Sequence, residues 1–251
     1  MPRTPVPSLV ASVLLLSLLK TSPAFPEDEK PKNLQVFPKD TERQELIGHM
    51  RDFAFALGVA CTHCHGTEEQ TGYNLNGVDF SLDIKPAKAK AREMIRMTEQ
   101  INSKLLANIP ASPLDLQVTC FTCHSGLALP ETIEARVRRI LDAEGLEAAL
   151  EDYRAVRKRH HGSAAYNFKV QPLVEVAEQL QNEGKYQEAA AISQLNLEFH
   201  SKSGQTKFRL AEAYFALGKK EEARKLYREI LERRPNDRRA KARLDELDQD
   251  P

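Results

Sequence analysis

The chain has no tryptophan, and aromatic residues of every kind make up only 6% of its 251 residues. A small domain so poor in large apolar side chains has little from which to build a core out of protein alone. Neither sign of charge dominates, with 36 Lys plus Arg set against 36 Asp plus Glu. That balance removes the global field on which nucleic-acid binding or adhesion to an anionic membrane would rest. No Ser/His/Asp set, phosphate-binding loop or carboxylate pair stands out, so hydrolysis and group transfer have no visible machinery. Cysteine is scarce as well, and all four cysteines fall in two Cys-x-x-Cys pairs.

Only one run of the chain is strongly apolar. Ser8 to Leu19 gives 12 residues of that kind, preceded by Arg3 and followed by the small residues around Ser22-Pro23-Ala24. The run is shorter than the ~20 residues a membrane helix needs. Its flanks have the form of an export signal, so residues 1–24 are expected to be a signal peptide. Lys20, directly after the run, leaves an uncleaved anchor as the competing reading. Export places the protein in a periplasm or on the outer face of the cytoplasmic membrane. In such an oxidising compartment cysteines form disulfides unless other chemistry consumes the thiols.

The remainder reads as mainly α. Thr41 and Gln44 have the spacing of a capping box, and Leu46, Met50, Phe53 and Leu57 follow at helical intervals up to Gly58. Residues 66–84 are rich in Gly and Asn and read as a loop. Pro86 suits the start of a second helix, whose stripe is Ala87, Ala91, Met94, Ile101 and Leu105, ended by Pro110 and Pro113. Two more helices are expected at about 131–143 and 146–160, split by Gly145, within a connector spanning 131–165. Beyond His161-Gly162-Ser163 a repeat begins. Gly184 and Gly218, Ala177 and Ala211, and Ala189 and Ala223 recur at a period of 34 residues. That period, with small residues where helices cross, resembles the tetratricopeptide repeat. The expected units are 170–203 and 204–237, inside a domain of 170–250 whose last helix caps the open end.

The chemistry lies in the cysteine pairs. Each is followed by histidine, as Cys61-Thr62-His63-Cys64-His65 and Cys120-Phe121-Thr122-Cys123-His124. Cys-x-x-Cys-His is the attachment motif of c-type haem. Cysteines three apart lie on one side of a helical turn, where each sulfur adds to one vinyl group. The next residue then sends an imidazole under the iron. Two covalent haem c groups are expected, held by Cys61, Cys64, Cys120 and Cys123, with His65 and His124 as proximal ligands. A four-cysteine zinc site, paired redox motifs or structural disulfides would leave a histidine after both pairs unexplained. For the sixth iron position the candidates are Met50, Met94 and Met97, with His49, His160 and His161 as rivals. His63 points away from the iron, and His200 lies in the repeats.

From about Asn33 to Pro130 the chain resembles the photosynthetic reaction-centre cytochrome c subunit family. The likeness is carried by NLQVFPKD and by the Met50-Arg51-x-Phe53 helix running into Leu57-Gly58-Val59-x-Cys61. Glu93-Met94-Ile95-Arg96-Met97-Thr98 with Asn102, and Val118-Thr119 leading into the second motif and Ser125-Gly126, complete it. The resemblance implies a dihaem domain over 33–130 in which each unit is a helix bearing a Met ligand, a loop and a haem motif. It pairs Met50 with His65, and Met94 rather than Met97 with His124. The family's best-known members carry four haems and dock on a membrane reaction centre, whereas this chain has two motifs and adds repeats. The expected function is single-electron transfer between a donor and an acceptor protein, with a reaction centre or respiratory complex as candidate partner and the repeats as docking module. Peripheral membrane association is compatible with that role, and no nucleic acid is expected. The competing functions are a dihaem peroxidase-like enzyme with one open iron, and a repeat-based interaction protein whose haems are structural or sensing.

Overall fold

The computed structural model describes residues 30–109 and 116–249. The expected signal peptide and the breakers Pro110 and Pro113 lie outside the described residues, among which there is helix and no strand.

The first helix, α1 (Arg43–Leu57), ends as its sequence requires. Gly58 takes the left-handed conformation at φ 65°, and the Gly58 and Val59 N–H groups bond back to Phe55 and Ala54. Its start departs from expectation. The N-cap is Glu42, no side chain caps the helix, and the Thr41 hydroxyl donates to the Pro38 carbonyl at 2.8 Å instead. The Thr41 N–H bonds to that same carbonyl, so the threonine closes the turn made by Pro38 and is unavailable to the helix. Residues 66–84 are irregular, as expected. Helix α2 (Pro86–Gln100) begins with Pro86 in its first turn and runs on through one wide π turn, Ile101–Leu105. The short α3 (Cys120–His124) is held by a reciprocal cap between Thr119 and Thr122.

From residue 133 the packing changes character. Helices α4 (Ile133–Glu144) and α5 (Leu146–His160) form a hairpin. Two more follow, α6 (Val170–Asn182) with α7 (Tyr186–Phe199) and α8 (Gly204–Ala216) with α9 (Lys220–Arg233). A closing helix, α10 (Arg238–Gln249), lies against α9. The two repeats share their turn geometry. Gly184 and Gly218 have φ 75° and 74°, and the N–H of Lys185 and Lys219 reach Leu180 and Tyr214 at the same 2.9 Å. Small residues stand at the crossings, where Ala177, Ala189, Ala211 and Ala223 have no exposed surface.

The α4/α5 hairpin, a connector by sequence, is the first layer of this stack. One core cluster runs without a break from Ile133 and Val137 through Tyr153 and Leu173 to Ile192 and Leu210. Three stacked hairpins meet the number that helical repeats need for stability, which two alone do not. A second cluster, around Phe208, Tyr227 and Leu247, seals the far end beneath α10.

The described residues before α4 have no comparable core. Helix α2 buries none of its residues. Among the described residues every exposed large apolar side chain except Phe199 lies between Phe55 and Leu129.

Candidate haem-attachment sites

In the first motif Cys61–His63 forms a tight turn, and the His65 N–H closes it on the Cys61 carbonyl at 3.1 Å. In the second, α3 makes the same single turn. Both pairs therefore present their sulfurs on one side of a turn, and none of the four cysteines is bridged. Burial pushes the thiol of Cys64 up, with Cys61 adding to the effect and Lys85 and Lys88 opposing it. Burial likewise raises Cys120. Among the described residues no three His, Cys, Asp or Glu side chains converge on a point, so the two pairs are not gathered into a zinc site.

The two motif histidines are held differently. Nδ1 of His124 lies 2.7 Å from the Leu127 carbonyl, which can only accept. The proton is therefore on Nδ1, and the lone pair of Nε2 is left for a metal. Leu127 packs in turn against the core begun by α4. Nδ1 of His65 is buried with no hydrogen-bond partner, so the protein alone does not satisfy that nitrogen. Burial lowers the pKa of His65 to about 4, helped by Lys88 and Arg92 and opposed by Asp83 and the Phe80 backbone. At neutral pH it is thus the uncharged imidazole that binds metals. The Phe80 ring meets it edge-on at 5.1 Å.

Among the sixth-ligand candidates, Met50 is half-buried on α1, while Met94 and Met97 on α2 are 44% and 45% exposed. Exposure does not separate the last two, and the preference for Met94 comes from the family resemblance. Among the rival histidines, His49 stacks on Phe37 at 5.2 Å, His160 meets Tyr166 edge-on at 5.8 Å and His161 lies tilted against Phe168 at 6.3 Å. His63 is exposed, and His200 in the repeats is half-buried and bonds to the Phe168 carbonyl at 3.1 Å. Both methionine helices pack on α3, α1 more extensively than α2.

Sequence reading missed a cluster of charge beside the first motif. Lys85 donates to the Thr62 and Gln70 carbonyls at 2.6 and 2.9 Å, tying the motif to the start of α2. Lys88 bonds the Phe80 and Leu82 carbonyls and pairs with Asp83, which also takes a two-pronged bond from Arg92 at 2.8 and 2.9 Å. Bonds from Arg92, Lys88 and Asn33 hold the Asp83 carboxyl well below the usual range. The spacing of Lys85, Lys88 and Arg92 on one helical face was the available signal. A second fastening joins the α2 extension to the approach to Cys120. The Asn102 amide takes the Val118 N–H and gives to its carbonyl, both at 2.8 Å.

A covalent haem fits this framework. Unbridged thiols in pairs, an imidazole fixed as the correct tautomer, an unsatisfied buried ring nitrogen and many exposed apolar side chains all suit a large flat apolar group carrying a metal.

Comparison with known proteins gives two family matches. Residues 66–168 match the family described as photosynthetic reaction centre cytochrome C subunit, and residues 180–244 match the tetratricopeptide repeat. The first match begins one residue after the first motif, and it takes in the second motif and the α4/α5 hairpin. Cytochrome c-554 of Chloroflexus aurantiacus is 32% identical over 101 residues, which are 37% of this chain and 22% of that protein. The photosynthetic reaction center cytochrome c subunit of Rubrivivax gelatinosus is 31% identical over 98 residues, 36% of this chain and 25% of its own length. The corresponding subunit of Roseobacter denitrificans is 26% identical over 125 residues, 45% of this chain and 32% of that protein. The chain thus spans less than a third of each of these relatives. No helix among the described residues is long and apolar enough to cross a membrane.

Proposed function

From a chain whose residues 66–168 are of the photosynthetic reaction-centre cytochrome family and whose residues 180–244 are a tetratricopeptide repeat, we propose a dihaem electron carrier. It works outside the cytoplasm, and its repeats dock it on a redox partner. The haem iron supplies reversible one-electron chemistry. The protein's part is to hold, orient and tune. Cys61, Cys64, Cys120 and Cys123 fasten the groups by thioethers, each S–H adding across a vinyl double bond. His65 and His124 would each hold an iron, with Met50 and Met94 as its further ligands, and no position would then be left for a substrate. The observation that carries this reading is the His124 Nδ1–Leu127 carbonyl bond, because it orients an imidazole directly after a cysteine pair with its free nitrogen in the ligand tautomer.

The test is haem stoichiometry with magnetic circular dichroism on the matured protein. Two covalent haems per chain, both low-spin with the near-infrared sulfur-to-iron band, are expected. Met50→Ala and Met94→Ala should each remove part of that band. One haem per chain would overturn the dihaem assignment, and a high-spin iron that takes up cyanide readily would overturn the Met ligation and favour the peroxidase-like alternative.

The charge cluster has a consequence for potential. Around the first motif Lys88 and Arg92 pair with Asp83, while the ammonium of Lys85 bonds the Thr62 carbonyl and, among the described residues, has no carboxylate paired with it. Excess positive charge favours the ferrous over the ferric state. Lys88→Gln should therefore lower the potential of one haem and leave the other in place, as read by redox titration. Each tenfold change in the equilibrium amounts to about 59 mV for one electron.

A further inference from the structure

The end of α1 and the exit from α3 meet backbone to backbone. The Gly126 N–H donates to the Ala56 carbonyl at 2.8 Å. Gly58 holds φ 65°, and a Cβ built on it would sit 2.1 Å from the Gly126 oxygen, a separation at which one of the two chains must move. Beside this contact the Phe55 and Phe121 rings stack at 5.4 Å with 11° between their planes. Each of these residues adjoins an attachment site: Gly58 leads into Cys61, Gly126 follows His124, and Phe121 stands between Cys120 and Cys123. The contact therefore joins the two sites through very few rotatable bonds.

From this contact we infer that Gly58 is a positioning residue, which sets the spacing and orientation of the two haem-attachment sites so that they act as one coupled pair. The pair passes an electron inside a single chain. Ferrous iron at one site loses one electron and ferric iron at the other gains it, with no bond made or broken. The rate of such a step falls steeply with separation, so a spacing fixed by backbone contact governs it more firmly than one set by side chains. The inference rests on the dihaem reading above.

The test uses the full-length protein with haem attached. Haem is counted by intact mass, and the Soret region is recorded by circular dichroism. Two haems in fixed mutual orientation couple their transitions and give a band of two signs larger than the summed spectra of two single-haem variants, Cys61→Ala/Cys64→Ala and Cys120→Ala/Cys123→Ala, whereas independent haems give only that sum. The wild type should show the two-signed band. Gly58→Ala should keep both haems and lose more than half of that band's amplitude. Gly72→Ala is the control, since Gly72 has the same left-handed strain at φ 69° but nothing within 4 Å of its added Cβ. It should keep the band intact. If Gly58→Ala does not accumulate, Phe55→Ala removes the ring stack without touching the backbone contact and should weaken the same band.

Two haems without a two-signed band in the wild type would overturn the inference and leave the dihaem reading standing. An undiminished band in Gly58→Ala, or in Phe55→Ala where that variant serves, would also overturn it. A single haem in the wild type would overturn both.

Discussion

A chain with all four cysteines replaced, Cys61→Ala, Cys64→Ala, Cys120→Ala and Cys123→Ala, is expected to lose order from residue 30 to about 130 while keeping helices α4 to α10. Two facts lead there. Helix α2 buries no residue, and among the described residues of that region the only buried side chains are Leu34, Thr41, Ala56 and Thr62. A helix of 15 residues without a packed face is marginal in water. The apolar side chains between Phe55 and Leu129 form a core only when a large group lies among them. The second half has its own continuous core and should not respond. Hydrogen exchange read by peptide mass decides the matter. Amides of α1 and α2 should exchange near the unfolded rate in the variant, and those of α6 to α9 should stay as protected as in the holoprotein. Equal protection of α2 in the two proteins would show that the attached group contributes nothing to folding.

Tyr153→Ala is expected to have the largest effect of any single substitution in the helical stack. Tyr153 is 1% exposed on α5, with its ring edge-on to Phe168 at 5.8 Å and 6.0 Å from Phe199 on α7. The Arg157 guanidinium closes this cluster, 4.4 Å over the Phe199 ring. Truncating a buried aromatic costs about 3–5 kcal/mol, a large share of the ~5–15 kcal/mol that holds a domain folded. A fall in Tm of roughly 10–20 °C should follow, with α5 and α7 melting together. Arg154→Ala supplies the contrast. Its pair with Glu198 is half exposed, and such pairs contribute about 0–1 kcal/mol. Similar losses from both variants would remove the case that Tyr153 ties the first hairpin to the repeats.

What was legible in the sequence was short-range. The cysteine pairs with their histidines, Gly58 ending α1, Pro86 starting α2 and the matched turns at Gly184 and Gly218 all follow from residues within a few positions of one another. The Thr41–Gln44 pattern was equally local and misled, because Pro38 had already claimed the threonine. The repeat arithmetic found α6 to α9 through their small residues at the 34-residue spacing. It passed over α4 and α5, which pack in the same way without that signature. The rest depends on pairs distant in sequence: Gly58 on Gly126, Lys85 on Thr62 and Asn102 on Val118. A single sequence carries no local sign of such pairs.

The hairpin α4/α5 belongs to two things at once. Its residues close the stretch that matches the cytochrome family, ending at 168, and its side chains open the core that the repeats complete. The boundary between two ancestries therefore does not coincide with the boundary between two folding units. A chimera joined at residue 169, where a genealogist would cut, exposes Leu173, Val176 and Leu180 on α6. A graft joined near residue 130 carries its foundation with it. For anyone transplanting these repeats onto another protein, the transferable part is 131–249.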